Sequence, residues 1–148
     1  MEKIGFEVTP CKSPYEVPSR YNFIITAAAS EYYVLSKYDI SEGTHINAIG
    51  SDTYSKRELG PGIIEKADLV IADSIEQCKD RGEIACSIRD GNLNLDNVVE
   101  LGDVLSGKTS GRKSESQITV SDLTGVAVQD IKIANSVFKK FMEDKNEI

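Results

Sequence analysis

Gly43-Thr44-His45-Ile46-Asn47-Ala48-Ile49-Gly50-Ser51-Asp52-Thr53-Tyr54-Ser55-Lys56-Arg57-Glu58-Leu59 is the stretch on which the fold turns. Its first half, with Ile46, Ala48 and Ile49, is a short and mostly apolar run that suits a buried strand. The run breaks at Gly50 and places a carboxylate, Asp52, and a cation, Lys56, in the loop that follows. Gly60-Pro61-Gly62 then punctuates the chain, and Pro61 suits the first turn of a new helix. A strand that opens into a polar loop ahead of a helix is where open α/β sheets take their ligands.

Outward from this stretch, the same alternation recurs. Asn22 to Ser30 is a nearly continuous apolar run of strand length, of the kind expected for a strand covered on both faces. It ends in small residues, Ala27 to Ser30, which let another group approach the backbone. Asp68 to Asp73 reads as a second buried strand with an acid at each end. Ser74 caps a helix over 75–79, and Gln77 at its third position completes a capping box. Ile118 to Asp122 is a last strand. Val126 to about Met142 is a long helix whose apolar residues recur at helical spacing, followed by a charged tail over 143–148 that is expected to fray.

The remaining segments are shorter. Ile4, Phe6 and Val8 alternate as in a short first strand. Ser13 with Pro14 starts a helix that Pro18 limits to about one turn. Tyr32 to Leu35 is β-like, 62–67 is a short helix, 84–89 another, and Val99 to Gly107 suggests a short amphipathic helix. Lys108 to Ser116 is polar and flexible in character. The fold class is therefore α/β: a partial Rossmann-like parallel sheet with helical crossovers and a long C-terminal helix, one domain over residues 1–148.

Composition removes several function classes. The chain of 148 residues carries 17 Lys and Arg against 24 Asp and Glu, a net charge of −7 with no basic run, which argues against nucleic acid as partner. No apolar stretch approaches the roughly 20 residues of a membrane helix. The first residues have no signal-peptide core, so a cytoplasmic location is the expectation. Cys11, Cys78 and Cys86 form neither a disulfide framework nor a zinc pattern. No G-x-G-x-x-G run follows a strand, so the phosphate cradle of a dinucleotide domain is missing from these residues. The lone His45 reads as a packed, satisfied side chain rather than a catalytic one.

Gly43 to Asp52 with Lys56-Arg57-Glu58-Leu59 resembles the signature of the ornithine cyclodeaminase/μ-crystallin family. Ala67 to Ser74 with Gln77 and Gly82-Glu83, Glu100 to Gly107, Gly111-Arg112, and Ile118 to Asp130 follow in that family's order. The resemblance covers essentially the whole chain. It implies NAD(H) or NADP(H) as cofactor and a small amino acid or imine as substrate. It makes Asp52 the catalytic carboxylate, a general base that must sit within hydrogen-bond reach of the reacting amine. A loop Asp that caps local backbone N–H groups is the other reading of this residue. The resemblance also places Thr26, Ile49, Gly50, Ser51 and Lys56 against the cofactor, with Leu123 where the cyclodeaminase has a serine. Lys56 has the competing reading of a solvated surface cation. Asn22, Ala28-Ala29, Tyr32-Tyr33 and Tyr54-Ser55 depart from the family pattern near the cofactor.

Members of that family are about twice this length and carry, ahead of the matching part, a dimerising region that clamps the substrate carboxylate and a Gly-rich turn. The expectation is therefore a fragment or split subunit of an NAD(P)-dependent cyclodeaminase, alanine dehydrogenase or ketimine reductase. The alternative is a non-catalytic remnant or crystallin-like binding domain. The truncated sheet leaves an unpaired edge, so a homo-oligomer or a partner subunit is expected.

Overall fold

The computed structural model of the chain describes residues 5–93 and 95–146. Five short strands, β1 (Phe23–Thr26), β2 (His45–Ala48), β3 (Leu69–Ala72), β4 (Val98–Glu100) and β5 (Thr119–Asp122), form one sheet. All pairings are parallel, and the order is β1-β2-β5-β3-β4. The chain steps from β2 past one position to β3, and the last strand returns to fill that position.

The register explains the core. Ile24, Ile46, Val120, Val70 and Val98 stand side by side in one row across all five strands, and every one is buried. Leu35, Leu59, Ile63 and Ile84 pack on this row from the connecting segments. Two residues further along, Thr26, Ala48, Asp122, Ala72 and Glu100 align as the row of strand C-terminal ends. Polar loops leave from that row.

Between the strands lie α1 (Ile63–Lys66), α2 (Ile75–Cys78), α3 (Gly82–Arg89) and α4 (Leu101–Leu105). Ser74 caps α2 by accepting from the Gln77 N–H at 3.4 Å, as its sequence position predicts. The reciprocal half of the capping box is not formed. The Gln77 amide instead donates to Thr124 Oγ1 at 2.6 Å and to the Gly125 carbonyl at 2.7 Å. Ser13 likewise accepts from the Tyr15 N–H at the start of a single 3-10 turn over Pro14–Glu16. Gly62, with φ +89°, is the N-cap of α1, so Pro61 precedes the cap rather than opening the helix.

Other expectations are corrected. Ile4 lies outside the described residues, and 5–11 form no strand: Phe6 and Val8 are exposed and none of the described residues pairs with them. The 22–30 run is not covered on both faces. It forms an edge strand on which Ile24 and Thr26 are buried while Phe23 and Ile25 are 58% and 56% exposed. Tyr32 to Leu35 contributes only an isolated bridge, Leu35 to Leu59. The 99–107 segment is not one helix, since Val98–Glu100 pairs with β3 before α4 begins. Lys108 to Ser116 is a loop, but a tethered one: Arg112 donates to the carbonyls of Gly43 at 3.0 Å and Glu115 at 2.6 Å.

The long helix α5 (Ala127–Asn146) runs beyond Met142, and its last turns are helical rather than frayed; Glu147 and Ile148 of the expected tail lie outside the described residues. Its apolar stripe does not enter the core. Val128, Ile131, Val137, Phe138 and Phe141 are all more than half exposed.

Candidate functional site at the strand ends

The loops that leave the C-terminal row of the sheet are held from beneath by buried carboxylates. Glu58 is fully buried. Its Oε2 accepts from the Thr26 hydroxyl at 2.7 Å and from the Gly50 N–H at 2.9 Å, and its Oε1 accepts from the Ala28 N–H. One side chain thus ties the end of β1 to the end of β2. Gly50 is required by this contact: a Cβ there would lie 2.6 Å from the Glu58 carboxyl carbon and 2.5 Å from the Ala28 carbonyl oxygen. The close approach is therefore to the protein's own carboxylate.

Glu83 forms the next layer. It accepts from the Ser51 hydroxyl, from the Glu58 N–H at 2.6 Å and from the Leu59 N–H at 3.0 Å. Burial pushes its carboxyl above the ordinary range against the pull of these donors. Asp122, at the end of β5, accepts from the Ile84 N–H at 2.8 Å. Burial pushes it up to about 8, with the charges of Glu83 and Asp73 acting in the same direction. Its Oδ1 is buried without a hydrogen-bond partner, which fits a protonated carboxyl. Gly82 makes the packing possible, because its φ is +88° and a Cβ would lie 2.6 Å from Asp122 Oδ2. Asp73, closing β3, accepts from the Gly125 N–H at 2.7 Å and Thr124 Oγ1 at 3.2 Å, and so fixes the turn after Leu123.

Above this scaffold the predicted site residues separate into two groups. Asp52, Lys56, Ile49 and Leu123 offer accessible surface at the strand ends. Thr26 and Ser51 are buried, and their hydroxyls are already engaged by Glu58 and Glu83. Lys56 Nζ lies 2.5 Å from Asp52 Oδ1. That hydrogen bond is the main reason the exposed Asp52 carboxyl is held below its ordinary range. Asp52 is therefore kept ionised, as a base must be, and its proton affinity rises when Lys56 is drawn away. Asp52 also lines a cleft of about 610 Å³ with Thr53, Tyr54, Lys79, Asp80, Arg81 and Arg89. A second, apolar cavity of about 330 Å³ lies beside Thr26, Ala27 and Ala28.

His45 sits three residues before the end of β2, away from this cluster. Its ring nitrogens engage Thr119 Oγ1 at 2.6 Å and Asn47 Oδ1 at 3.0 Å, and it stacks on Phe23 with centroids 5.5 Å apart. Partial burial lowers its pKa. The packed, satisfied reading of His45 is what the structure shows. Among the described residues no cluster of three or more His, Cys, Asp or Glu side chains is arranged for a metal ion, and no helix is long and apolar enough to cross a membrane.

No role for Glu58 or Glu83 is legible in the sequence beyond their place in the motifs shared with the family.

The model of the ornithine cyclodeaminase/mu-crystallin family matches residues 1–145. The chain belongs to that family. It is 39% identical over 127 residues to an alanine dehydrogenase of Archaeoglobus fulgidus, which covers 85% of this chain and 39% of the relative. Among solved structures, an archaeal alanine dehydrogenase dimer with bound NAD superposes with a TM-score of 0.89 at 33% identity, over 97% of this chain and 44% of that one. The Δ(1)-pyrroline-2-carboxylate reductase of Thermococcus litoralis, in complex with NADH and L-proline, gives 0.92 at 26% identity, over 97% of this chain and 45% of that one. The chain thus spans about two fifths of the length of these relatives. The fold is that of Rossmann-like NAD-binding dehydrogenase domains.

Proposed function

We propose that these 148 residues supply the strand-end half of an NAD(P)-dependent active site acting on a small amino acid or imine. The observation that carries this reading is the Asp52–Lys56 pair, presented at the open end of a parallel sheet by a loop that Glu58 and Glu83 hold rigid. Ile49 and Leu123 give the flat apolar contact that a nicotinamide ring needs, and Lys56 gives a fixed cation for polar groups of cofactor or substrate. When bound, the cofactor accepts or returns a hydride. Asp52 takes or gives the proton at the substrate nitrogen, and the two steps together interconvert amine and imine. The groups that complete the site come from a segment or partner outside these residues. Self-association of the chain belongs to the same reading, supported by the dimeric state of the archaeal alanine dehydrogenase and by the exposed edge of β1.

Titration of the isotopically labelled chain with NADH tests the reading. Amide shifts should centre on 49–56 and on Leu123, with a Kd in the roughly millimolar range. Shifts spread without pattern, or none at all, would remove the cofactor from the proposal. The second reading, a non-catalytic binding domain, is supported by Ala28-Ala29 and Tyr54-Ser55, which depart from the family pattern near the cofactor. It predicts no hydride transfer to iminosuccinate or pyrroline carboxylate even when NADH is held.

A further inference from the structure

The cations around the Asp52 cleft are not equivalent. Lys56 is paired with Asp52, and Lys79 with Glu76 at 2.5 Å. Arg89 donates to the Tyr54 carbonyl at 3.0 Å and lies over the Tyr54 ring at 4.2 Å. Arg57, which follows Lys56 in the same loop, is paired with Asp90 at 2.7 Å. Arg81 is different. Among the described residues it makes no ion pair and no side-chain hydrogen bond, and its Nε is buried without a partner. Asp80 lines the same cleft next to it and does not pair with it.

The position of Arg81 is fixed by its backbone rather than by its head group. It is the extended N-cap of α3, at φ −147° and ψ 165°, directly before Gly82. Gly82 is locked by its positive φ and by the Asp122 carboxylate against it. The guanidinium therefore stands in a cleft wall with its own partners absent and with Asp52 lining the same cavity. Its charge is also felt at Asp52, where it adds, after Lys56, to the forces that keep that carboxyl ionised. A half-buried guanidinium with unused N–H groups is suited to a planar anion, because its fork matches the two oxygens of a carboxylate. A buried donor left unmatched is itself a feature that needs a partner.

We propose that Arg81 is a carboxylate-binding residue contributed to the cleft by this chain. The inference rests on the functional reading above: the ligand is a small amino or imino acid with a second carboxylate, docked with that carboxylate on Arg81 and its nitrogen left for Asp52. The cleft then recognises both ends of such a molecule, and substrate selection does not fall wholly to residues outside the chain. Alone among the lining cations, Arg81 can take the anion without giving up an existing partner.

The test uses the labelled chain and three probes: succinate, acetate and inorganic phosphate. Proton–nitrogen spectra report the arginine Nε–H resonances together with the backbone amides. Succinate should move one Nε–H resonance saturably, along with the amides of 52–54 and 81–82. Arg81→Gln should weaken succinate binding by about tenfold or more. Arg81→Lys should keep part of the affinity and lose the Nε–H response. Lys108→Gln, whose ion pair with Asp103 is remote from these residues in sequence, should bind as the parent chain does. Should Arg81→Gln fail to fold, the Nε–H response of the parent chain decides alone. Equal binding by a folded Arg81→Gln, or succinate shifts away from 52–54 and 81–82, overturns the proposal. So does phosphate binding about tenfold tighter than succinate, which would assign the site to a phosphate group. An NADH titration of the same sample separates the two readings. Succinate binding without NADH binding removes the cofactor reading and leaves Arg81. NADH binding with no succinate response removes Arg81 and leaves the cofactor reading.

Discussion

The strand ends and α5 invert the usual distribution of polarity. At the strand ends, Glu58, Glu83 and Asp122 are almost wholly buried, while along α5, Val137, Phe138 and Phe141 are more than half exposed. The buried acids are stable where they are because converging N–H and O–H groups meet them: three donors on Glu58 and three on Glu83. The helix has no such external support. Its order comes from its own turns and from local contacts such as Lys140–Asp144 at 2.7 Å and Lys145 over Phe141 at 4.9 Å. A polar group can thus be more integral to this fold than an apolar one, and the difference lies in what each of them meets.

Substitution at the sheet should give the largest effect. Ile46 has no exposed surface and stands in the middle of the five-strand row of apolar side chains. Ile46→Ala should cost about 2–5 kcal/mol of unfolding free energy in a urea titration. A loss under about 1 kcal/mol would mean that the row is loosely packed, and the contrast with α5 would weaken.

Next comes the carboxylate scaffold. Glu58→Gln keeps the shape but turns an acceptor into a donor, facing some combination of Thr26, Ala28 and Gly50. The expected cost is about 1–3 kcal/mol, from N–H groups left unmatched. The affected residues should report it directly: amide exchange at Ala28 and Gly50 should accelerate more than exchange at Val70 in the neighbouring core. Uniform acceleration would show that Glu58 supports global stability only and does not specifically hold the loops of the site.

The third effect is one of pH. The folded Asp122 carboxyl titrates at about 8 against an ordinary value of 3.8. The folded chain therefore keeps a proton that the unfolded chain releases above about pH 4. This contribution to stability is complete below the unfolded value and is lost as pH rises toward 8. Glu83, shifted upward by burial, acts in the same sense. Asp122→Asn should accordingly flatten the decline of stability between pH 4 and 8 relative to the parent chain, as followed by thermal unfolding. A steeper decline in the variant would place a charged Asp122 in the fold.

The sequence made some of this contrast visible and hid the rest for physical reasons. An apolar run of strand length identified β3, because a parallel strand buried on both faces has no polar face to show. The run over Asn22 to Ser30 has the same composition, yet Phe23 and Ile25 are exposed: composition carries no record of which strand lies at an edge. β2 and β5, His-Ile-Asn-Ala and Thr-Val-Ser-Asp, carry polar residues at alternate positions and read only as short strands ahead of a loop. The alternation at Phe6 and Val8 reads as a strand locally, but a strand needs a neighbour to pair with. β4 is three residues long and passes without a turn into α4, so the two merge into one apparent helix. At the site, Asp52 and Lys56 are legible as an acid and a cation four residues apart. Glu58 and Glu83 were not, since their donors come from positions up to 32 residues away. A Glu between Arg57 and Leu59 looks solvated until the chain has folded around it.

The smallest effect should lie on α5, and it tests the comparison from its other side. Phe138 is 62% exposed and does not belong to the hydrophobic core around the sheet row. Phe138→Ser removes a large apolar side chain, yet the change in unfolding free energy should stay within about 0.5 kcal/mol, as for surface positions without special partners. The same substitution at a core position would cost several times more, so the number itself locates the residue. The measurement should be repeated across a wide range of protein concentration. If the helix is uncovered in solution, the small value holds throughout. If a second copy covers it, the cost should grow with concentration, because association adds stability by mass action and the variant forfeits that share. A concentration-dependent loss would move α5 from the exposed region of this comparison to the buried one. It would also identify the apolar stripe, rather than the edge of β1, as the surface through which the chain self-associates.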